Sequence, residues 1–83
     1  MIKVHLVHIS DKILHEGDAS FVALPGVMGD FEVHVGHIPI VSILGRGRIT
    51  IRLTKDSKEE FKRILIEQGL MRFDGKELYV VVE

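Results

Sequence analysis

The sequence predicts an all-β fold, a flattened sandwich or barrel of short strands forming one domain over residues 1–83. Two observations carry this reading. Turn signals recur at short, fairly even intervals: Glu16-Gly17-Asp18, Pro25-Gly26, Gly36-His37-Ile38-Pro39, Gly45-Arg46-Gly47, Lys55-Asp56-Ser57-Lys58 and Asp74-Gly75. Between them, two segments alternate apolar and polar residues with period two, the pattern of a half-buried strand.

Each element follows from its own residues. Residues 2–9 read as a strand with Ile2, Val4 and Leu6 in phase. The phase then shifts to Val7 and Ile9, which predicts a bulge or burial on both faces. Residues 19–24 and 40–44 are near-continuous apolar runs, consistent with inner strands. In residues 30–35, Phe31, Val33 and Val35 oppose Asp30, Glu32 and His34. In residues 48–54, Ile49, Ile51 and Leu53 oppose Arg48, Thr50, Arg52 and Thr54. Phe31, Val33, Ile49, Ile51 and Leu53 are therefore expected in the core. Residues 58–68 fit two patterns, because Phe61, Ile64 and Leu65 also have helical spacing. The surrounding strands favour a strand from about residue 62 to 67, since tertiary context overrides propensity. Residues 77–83 are rich in Val and follow Asp74-Gly75, a hairpin signal in which both residues tolerate positive φ.

Composition bounds the function. A chain of 83 residues has a thin core, burying about 60–65% of its unfolded surface. It has no cysteine to staple it. The apolar fraction of 46% is high for so small a domain. Either an apolar patch is left for a partner, or the chain is simply a Val- and Ile-rich β domain. A net charge of −1 gives no electrostatic footprint for nucleic acid or an anionic membrane. No apolar run approaches the roughly 18 residues of a membrane span. Met1-Ile2-Lys3-Val4 enters a strand pattern at once, unlike a secretory signal. A cytosolic domain is expected, reaching a membrane only through another protein.

No constellation supplies chemistry. His5 and His8, like His34 and His37, are three residues apart, which on a strand opposes chelation. No metal site is expected. Ser10, Ser20, Ser42 and Ser57 lack a nucleophile-elbow context. The glycines form no phosphate loop, so neither catalysis nor a cofactor is expected. Arg46, Arg48 and Arg52 make a basic edge that a small β-barrel could present to RNA or a single strand. Few aromatics are available for stacking, and a solvated edge guarded by cations explains the same residues. The sharpest feature is Gly36-His37-Ile38-Pro39. Pro39 belongs at a strand start, Ile38 is held extended before it, and Gly36 takes a left-handed or bulged conformation. His37 is thus fixed on a rigid corner, as a structural histidine or a polar contact at an interface.

The stretch from Leu24 through Ile51, with its Gly26, Gly29, Gly36-His37-Ile38-Pro39, Ser42 and Gly47, resembles without a gap the central motif of the epsilon-subunit family of rotary ATP synthases. The opening Leu6, Ile9 and Ser10, and Gly69-Leu70-Met71 before the last hairpin, are also similar to it. The resemblance covers essentially the whole chain. It implies a flattened β-sandwich of about ten short strands. It implies a non-catalytic central-stalk subunit of a proton-translocating synthase that links the gamma subunit to the ring of c subunits and couples rotation to ATP synthesis. By position, Ser10, His37, Ile38 and Ser42 would face gamma, and Val27, Met28, Gly29, Asp30 and Phe31 would face the c-ring. Gly26, Gly36, Pro39 and Gly47 would shape the turns. The resemblance implies no cofactor, no nucleic-acid partner and no direct insertion in a membrane. It places the domain peripherally on the cytoplasmic face of a bacterial inner membrane, held there by the complex. Two departures stand out. Gln68 occupies a position where many relatives have a second glycine. The chain also ends at Glu83, where many relatives continue into two helices, which fits either a natural short form or a truncated piece of a longer chain. The inhibitory and nucleotide-binding roles of those helices are not carried over.

Overall fold

A computed structural model of the chain describes residues 1–53 and 60–83. Thr54, Glu59 and the turn signal Lys55-Asp56-Ser57-Lys58 lie outside the described residues. Among the described residues there are eight strands and no helix: β1 (Ile2–His8), β2 (Ile13–Gly26), β3 (Gly29–His34), β4 (Ile40–Leu44), β5 (Gly47–Leu53), β6 (Phe61–Ile66), β7 (Gly69–Phe73) and β8 (Glu77–Val82). The all-β architecture is as the turn spacing predicts. The strand number among the described residues is eight rather than the roughly ten that the resemblance implies, and β2 runs for 14 residues straight through the turn expected at Glu16-Gly17-Asp18. Gly17 sits inside that strand at φ +151° and does not turn the chain. The turn lies earlier, at residues 9–12, where Asp11 takes φ +71°.

The hydrogen-bonded path runs β1-β8-β7-β4-β2-β5-β6, with β3 attached to β2 and β1 also paired to β2. The strand β2 serves both layers. Residues 13–19 pair antiparallel with β1, and residues 21–26 pair with β3, with β5 on their other side up to Ala23 and β4 at Gly26. Ala19 faces Leu53 and Phe21 faces Arg52, so Ser20 is an extra residue at the point where β2 passes from one layer to the other. Such a bulge bends a strand. A second irregularity between Leu6 and Val7 lies where the phase shift predicts it.

One layer is therefore β1, β8, β7 and β4, extended by the first half of β2. The other is β3, the second half of β2, β5 and β6. Their inner faces supply the core. Ile2, Val4, Leu6, Met71, Phe73, Leu78, Val80 and Val82 come from the first layer, and Val22, Leu24, Val33, Ile49, Ile51 and Ile66 from the second. Of the five core residues expected, Val33, Ile49 and Ile51 are fully buried, while Phe31 and Leu53 are half-buried and pack against the cluster. Val35 is not in phase with them. The strand β3 ends at His34, and Val35 lies exposed in the turn that Gly36 completes at φ +89°. Residues 61–66 form a strand, β6, as their neighbours suggest. In the β7–β8 turn only Gly75 uses a positive φ, of +104°. Asp74 acts through its side chain instead, accepting from the backbone N–H groups of Lys76 (2.9 Å) and Glu77 (2.8 Å), and these bonds hold its carboxyl below the usual range.

Two glycines are held by sterics of different kinds. A Cβ at Gly26 would lie 2.7 Å from the Gly29 carbonyl oxygen and 2.9 Å from the Phe31 ring. At Gly36 a Cβ meets nothing within 4 Å, and only the positive φ resists substitution. Gly26→Ala is expected to destabilise by about 2–3 kcal/mol, as overpacking against backbone does. Gly36→Ala is expected to cost only about 1 kcal/mol, the strain of a left-handed alanine. Urea midpoints for the two variants check the order.

Candidate functional site

The outer face of the first layer is where the chain departs from an ordinary half-buried sheet. The apolar run at residues 40–44 predicts an inner strand, but β4 is covered on one side only. Ile40, Ser42 and Leu44 point inward opposite Phe73, Met71 and Gly69. Val41 and Ile43 point outward and are 66% and 61% exposed. Strand register then aligns Ile43 with Leu70, and Leu70 with Val81. The three form an apolar row across β4, β7 and β8, and Leu70 is 52% exposed. Ile9 flanks the row beyond Val81, lining with it a depression that Gly45 and Gly69 also line, and Val27 closes the row at the Ile43 end. Two backbone bonds fix that end: Val27 N–H donates to the Ile43 carbonyl (3.1 Å) and Gly45 N–H to the Pro25 carbonyl (2.7 Å).

The next row on the same face starts with Val41 on β4 and is polar from there on. Arg72 lies 4.7 Å from the Tyr79 ring centre, and His5 stacks on Tyr79 at 4.8 Å. His5 also pairs with Glu77 at 3.0 Å and with Glu16 at 3.6 Å. The Tyr79 hydroxyl donates to Glu77 (3.1 Å). That bond, the desolvation and the negative charge of Glu77 push the phenol above its usual range. The face thus has an apolar half and an ordered polar half, the anatomy of a docking surface with a dry centre and a polar rim.

The residues chosen from sequence are spread around this face. Ser10 stands in the β1–β2 turn next to Ile9, its hydroxyl 2.7 Å from Nδ1 of His8. His37 and Ile38 occupy the β3–β4 corner. The His37 ring meets Phe73 edge-on at 6.1 Å, its Nδ1 lies 2.6 Å from the Ile38 carbonyl oxygen, and its N–H donates to the His34 carbonyl (3.0 Å). Pro39 immediately precedes β4, as expected for a residue without an N–H to give. Phe73 faces Leu78 at one end of β8, whereas Ile9 bonds to Val82 at the other. His37 and Ser10 therefore lie at opposite ends of the face, roughly 13 Å apart along β8. Ser42 faces inward beside Met71 and not outward with its neighbours. Val27 and Met28 form the tip of the β2–β3 hairpin, with Met28 98% exposed, and Gly29 makes the turn at φ +126°. Asp30 is exposed on β3. Gly47 lets Pro25 approach, since a Cβ there would be 2.8 Å from the proline ring. Sequence reasoning missed Leu70 and Val81. Their signal was the unbroken Val80-Val81-Val82 run and the apolar pair Leu70-Met71, which a strand must place on opposite faces.

Among the described residues no group of three or more His, Asp or Glu side chains could hold a metal ion. His5 and His34 pair with carboxylates, and His8 pairs with Ser10. His15 is half-buried. Its Nε2 is buried with no hydrogen-bond partner among the described residues, and the nearby Lys62 ammonium donates to the Leu14 carbonyl (2.8 Å). Burial, and then the Lys62 charge, hold its imidazole below the usual value of 6.5. Below pH 6.5 the unfolded chain takes up this proton before the folded chain does. Stability is therefore expected to fall as pH drops from 6.5 and to level off beneath the lowered folded value. In His15→Gln that part of the pH slope should vanish from melting curves.

The chain matches the profile of the family described as "ATP synthase, Delta/Epsilon chain, beta-sandwich domain" over residues 1–83. It is 33% identical over 70 residues to the ATP synthase epsilon chain of Janthinobacterium sp. (strain Marseille), covering 84% of this chain and 48% of that protein. Its identity to the epsilon chain of Lactobacillus johnsonii is 26% over 83 residues, covering all of this chain and 56% of that protein. The chain spans about half the length of these curated relatives. Among solved structures it resembles a chain of the Euglena gracilis mitochondrial ATP synthase (OSCP/F1/c-ring), with a TM-score of 0.85 at 14% identity over 98% of this chain and 49% of that one. It also resembles a chain of the Tetrahymena thermophila mitochondrial ATP synthase central stalk and c-ring, with a TM-score of 0.78 at 17% identity over 98% and 62% of the two chains. At these identities the structural likeness concerns the fold.

Proposed function

Because the chain belongs to the ATP synthase delta/epsilon-chain β-sandwich family, we propose that it is a non-catalytic rotor part of such a synthase, joining the gamma subunit to the c-ring. The carrying observation is the second apolar face on β4, β7 and β8. A strand apolar on both sides needs cover on both sides, and this chain covers one. The polar half of the face fixes orientation without supplying a reaction. A rotor part must transmit torque, which calls for many packed contacts around a few fixed polar ones.

In this reading gamma covers the row Ile43, Leu70 and Val81, with Ser10 and the His37-Ile38 corner at opposite ends of the face. The hairpin tip at Val27 and Met28, with Gly29, Asp30 and Phe31 behind it, rests on the c-ring. Tip and face are continuous through Val27, which lines both. The domain then sits on the cytoplasmic face of the membrane only through its complex, and coupling of rotation to ATP synthesis passes through its two contacts. Co-purification tests this: tagged chain expressed in a host carrying the synthase should recover gamma and, from membranes, the c-ring. Recovery of neither would overturn the reading.

A further inference from the structure

The opposite layer carries a feature that the rotor role does not use. Across the outer face of β3, β2, β5 and β6, register aligns His34, Phe21, Arg52 and Phe61 in one row. Arg63 is opposite Thr50 and Leu65 opposite Arg48, so Arg63 is diagonal to both Arg52 and Arg48. The Arg52 and Arg63 guanidinium carbons lie 4.7 Å and 5.0 Å from the centre of the same Phe61 ring. Phe21 meets that ring edge-on at 6.4 Å and holds it in place.

We propose that the outer face of β5 and β6 binds a short acidic peptide segment in extended conformation, through Arg48, Arg52 and Arg63. Stacking orders the two guanidinium planes in advance and leaves their N–H edges free to donate, so less entropy is lost when an anion arrives. Two like charges against one ring repel, and a carboxylate between them relieves the repulsion. Arg52 already accepts a carboxylate here, since Glu60 lies 3.5 Å from its Nη1 on a largely exposed side chain. Spacing selects the ligand. Diagonal partners on neighbouring strands are about 7 Å apart. Alternate residues of an extended peptide, at about 3.3 Å per residue, present carboxylates at the same repeat. A nucleic-acid strand fits less well. Guanidinium groups cover Phe61, and His34 covers Phe21 at 4.9 Å, so neither ring is bare for a base. Asp30 and Glu32 on β3 oppose a phosphate backbone running across the sheet.

The test is a titration of the whole chain, at low ionic strength, with a synthetic peptide of alternating Glu and Thr. Parallel arms use an alternating Lys-Thr peptide, inorganic phosphate and a thymidine oligonucleotide. Saturable binding of the Glu peptide alone is expected, weakening with salt. Each lost arginine should weaken it about tenfold. Arg52→Ala and Arg63→Ala should show this with unchanged melting, and Arg63→Lys should fall between parent and Arg63→Ala, because it keeps the charge and loses the fork. Should either alanine variant melt early, the Arg48→Ala variant, whose side chain stacks on no ring, reads the same loss. Absence of saturable binding, equal binding by the arginine variants, or tighter binding of phosphate or oligonucleotide than of the Glu peptide would each overturn the proposal.

Discussion

Phe73→Ala is expected to remove most of the stability of this domain. Phe73 is the largest side chain that is fully buried, at 1% exposure, and it packs between the two layers. Truncating a buried phenylalanine costs about 3–5 kcal/mol through lost burial and the cavity left behind. A chain of 83 residues has only about 4–12 kcal/mol in all. The variant should thus unfold at a much lower urea concentration or be largely unfolded without denaturant. Phe31→Ala is the control. Phe31 is half-buried at the layer's rim, so about half that cost is expected. Equal midpoints for the two variants would show that Phe73 is not the centre of the core. The effect should reach His37 as well, because the Phe73 ring supports its edge.

The strands that alternate cleanly were the ones legible from sequence, because period two reports burial on one side directly. Residues 48–53 show this: Ile49 and Ile51 are buried and Arg48 is exposed, as their spacing predicts. Where an apolar residue faced outward, periodicity misled. Val35 continued the phase of Phe31 and Val33 but fell beyond the last residue of β3. Residues 40–44 looked like an inner strand because sequence cannot tell a face covered by the chain itself from one left for a partner. Glu16-Gly17-Asp18 looked like a turn because glycine lowers the cost of turning. The pairing of β1 with residues 13–19 holds Gly17 in line instead. His15 gave no signal, since the Lys62 charge that acts on it is distant in sequence and brought close only by the packing of β6. The His37 corner was the reverse case. Gly36 and Pro39 restrict the backbone locally, so its shape could be read without knowing what lies around it.

Leu70→Glu should abolish useful binding of gamma while leaving the isolated domain folded. The side chain is 52% exposed and points away from the core, so the substitution should change stability by no more than about 0.5 kcal/mol. In the complex proposed here the same position lies at the centre of the dry half of the face, between Ile43 and Val81. Its nearest cation on that face, Arg72, is engaged with Tyr79. A carboxylate there would be buried without a partner, at a cost of about 3–5 kcal/mol. That corresponds to a loss of affinity of about a hundredfold or more. His37→Glu should lose less, because the corner lies at the end of the face where water can reach a rim charge. Asp30→Ala should leave gamma affinity nearly intact and loosen attachment to the c-ring, because Asp30 is on the other side of the hairpin tip. The deciding measurement is gamma affinity for the three variants, each with its melting curve. If Leu70→Glu binds gamma like the parent while His37→Glu does not, the contact is centred on the corner. If neither changes affinity, the outer face of β4, β7 and β8 is not where gamma docks.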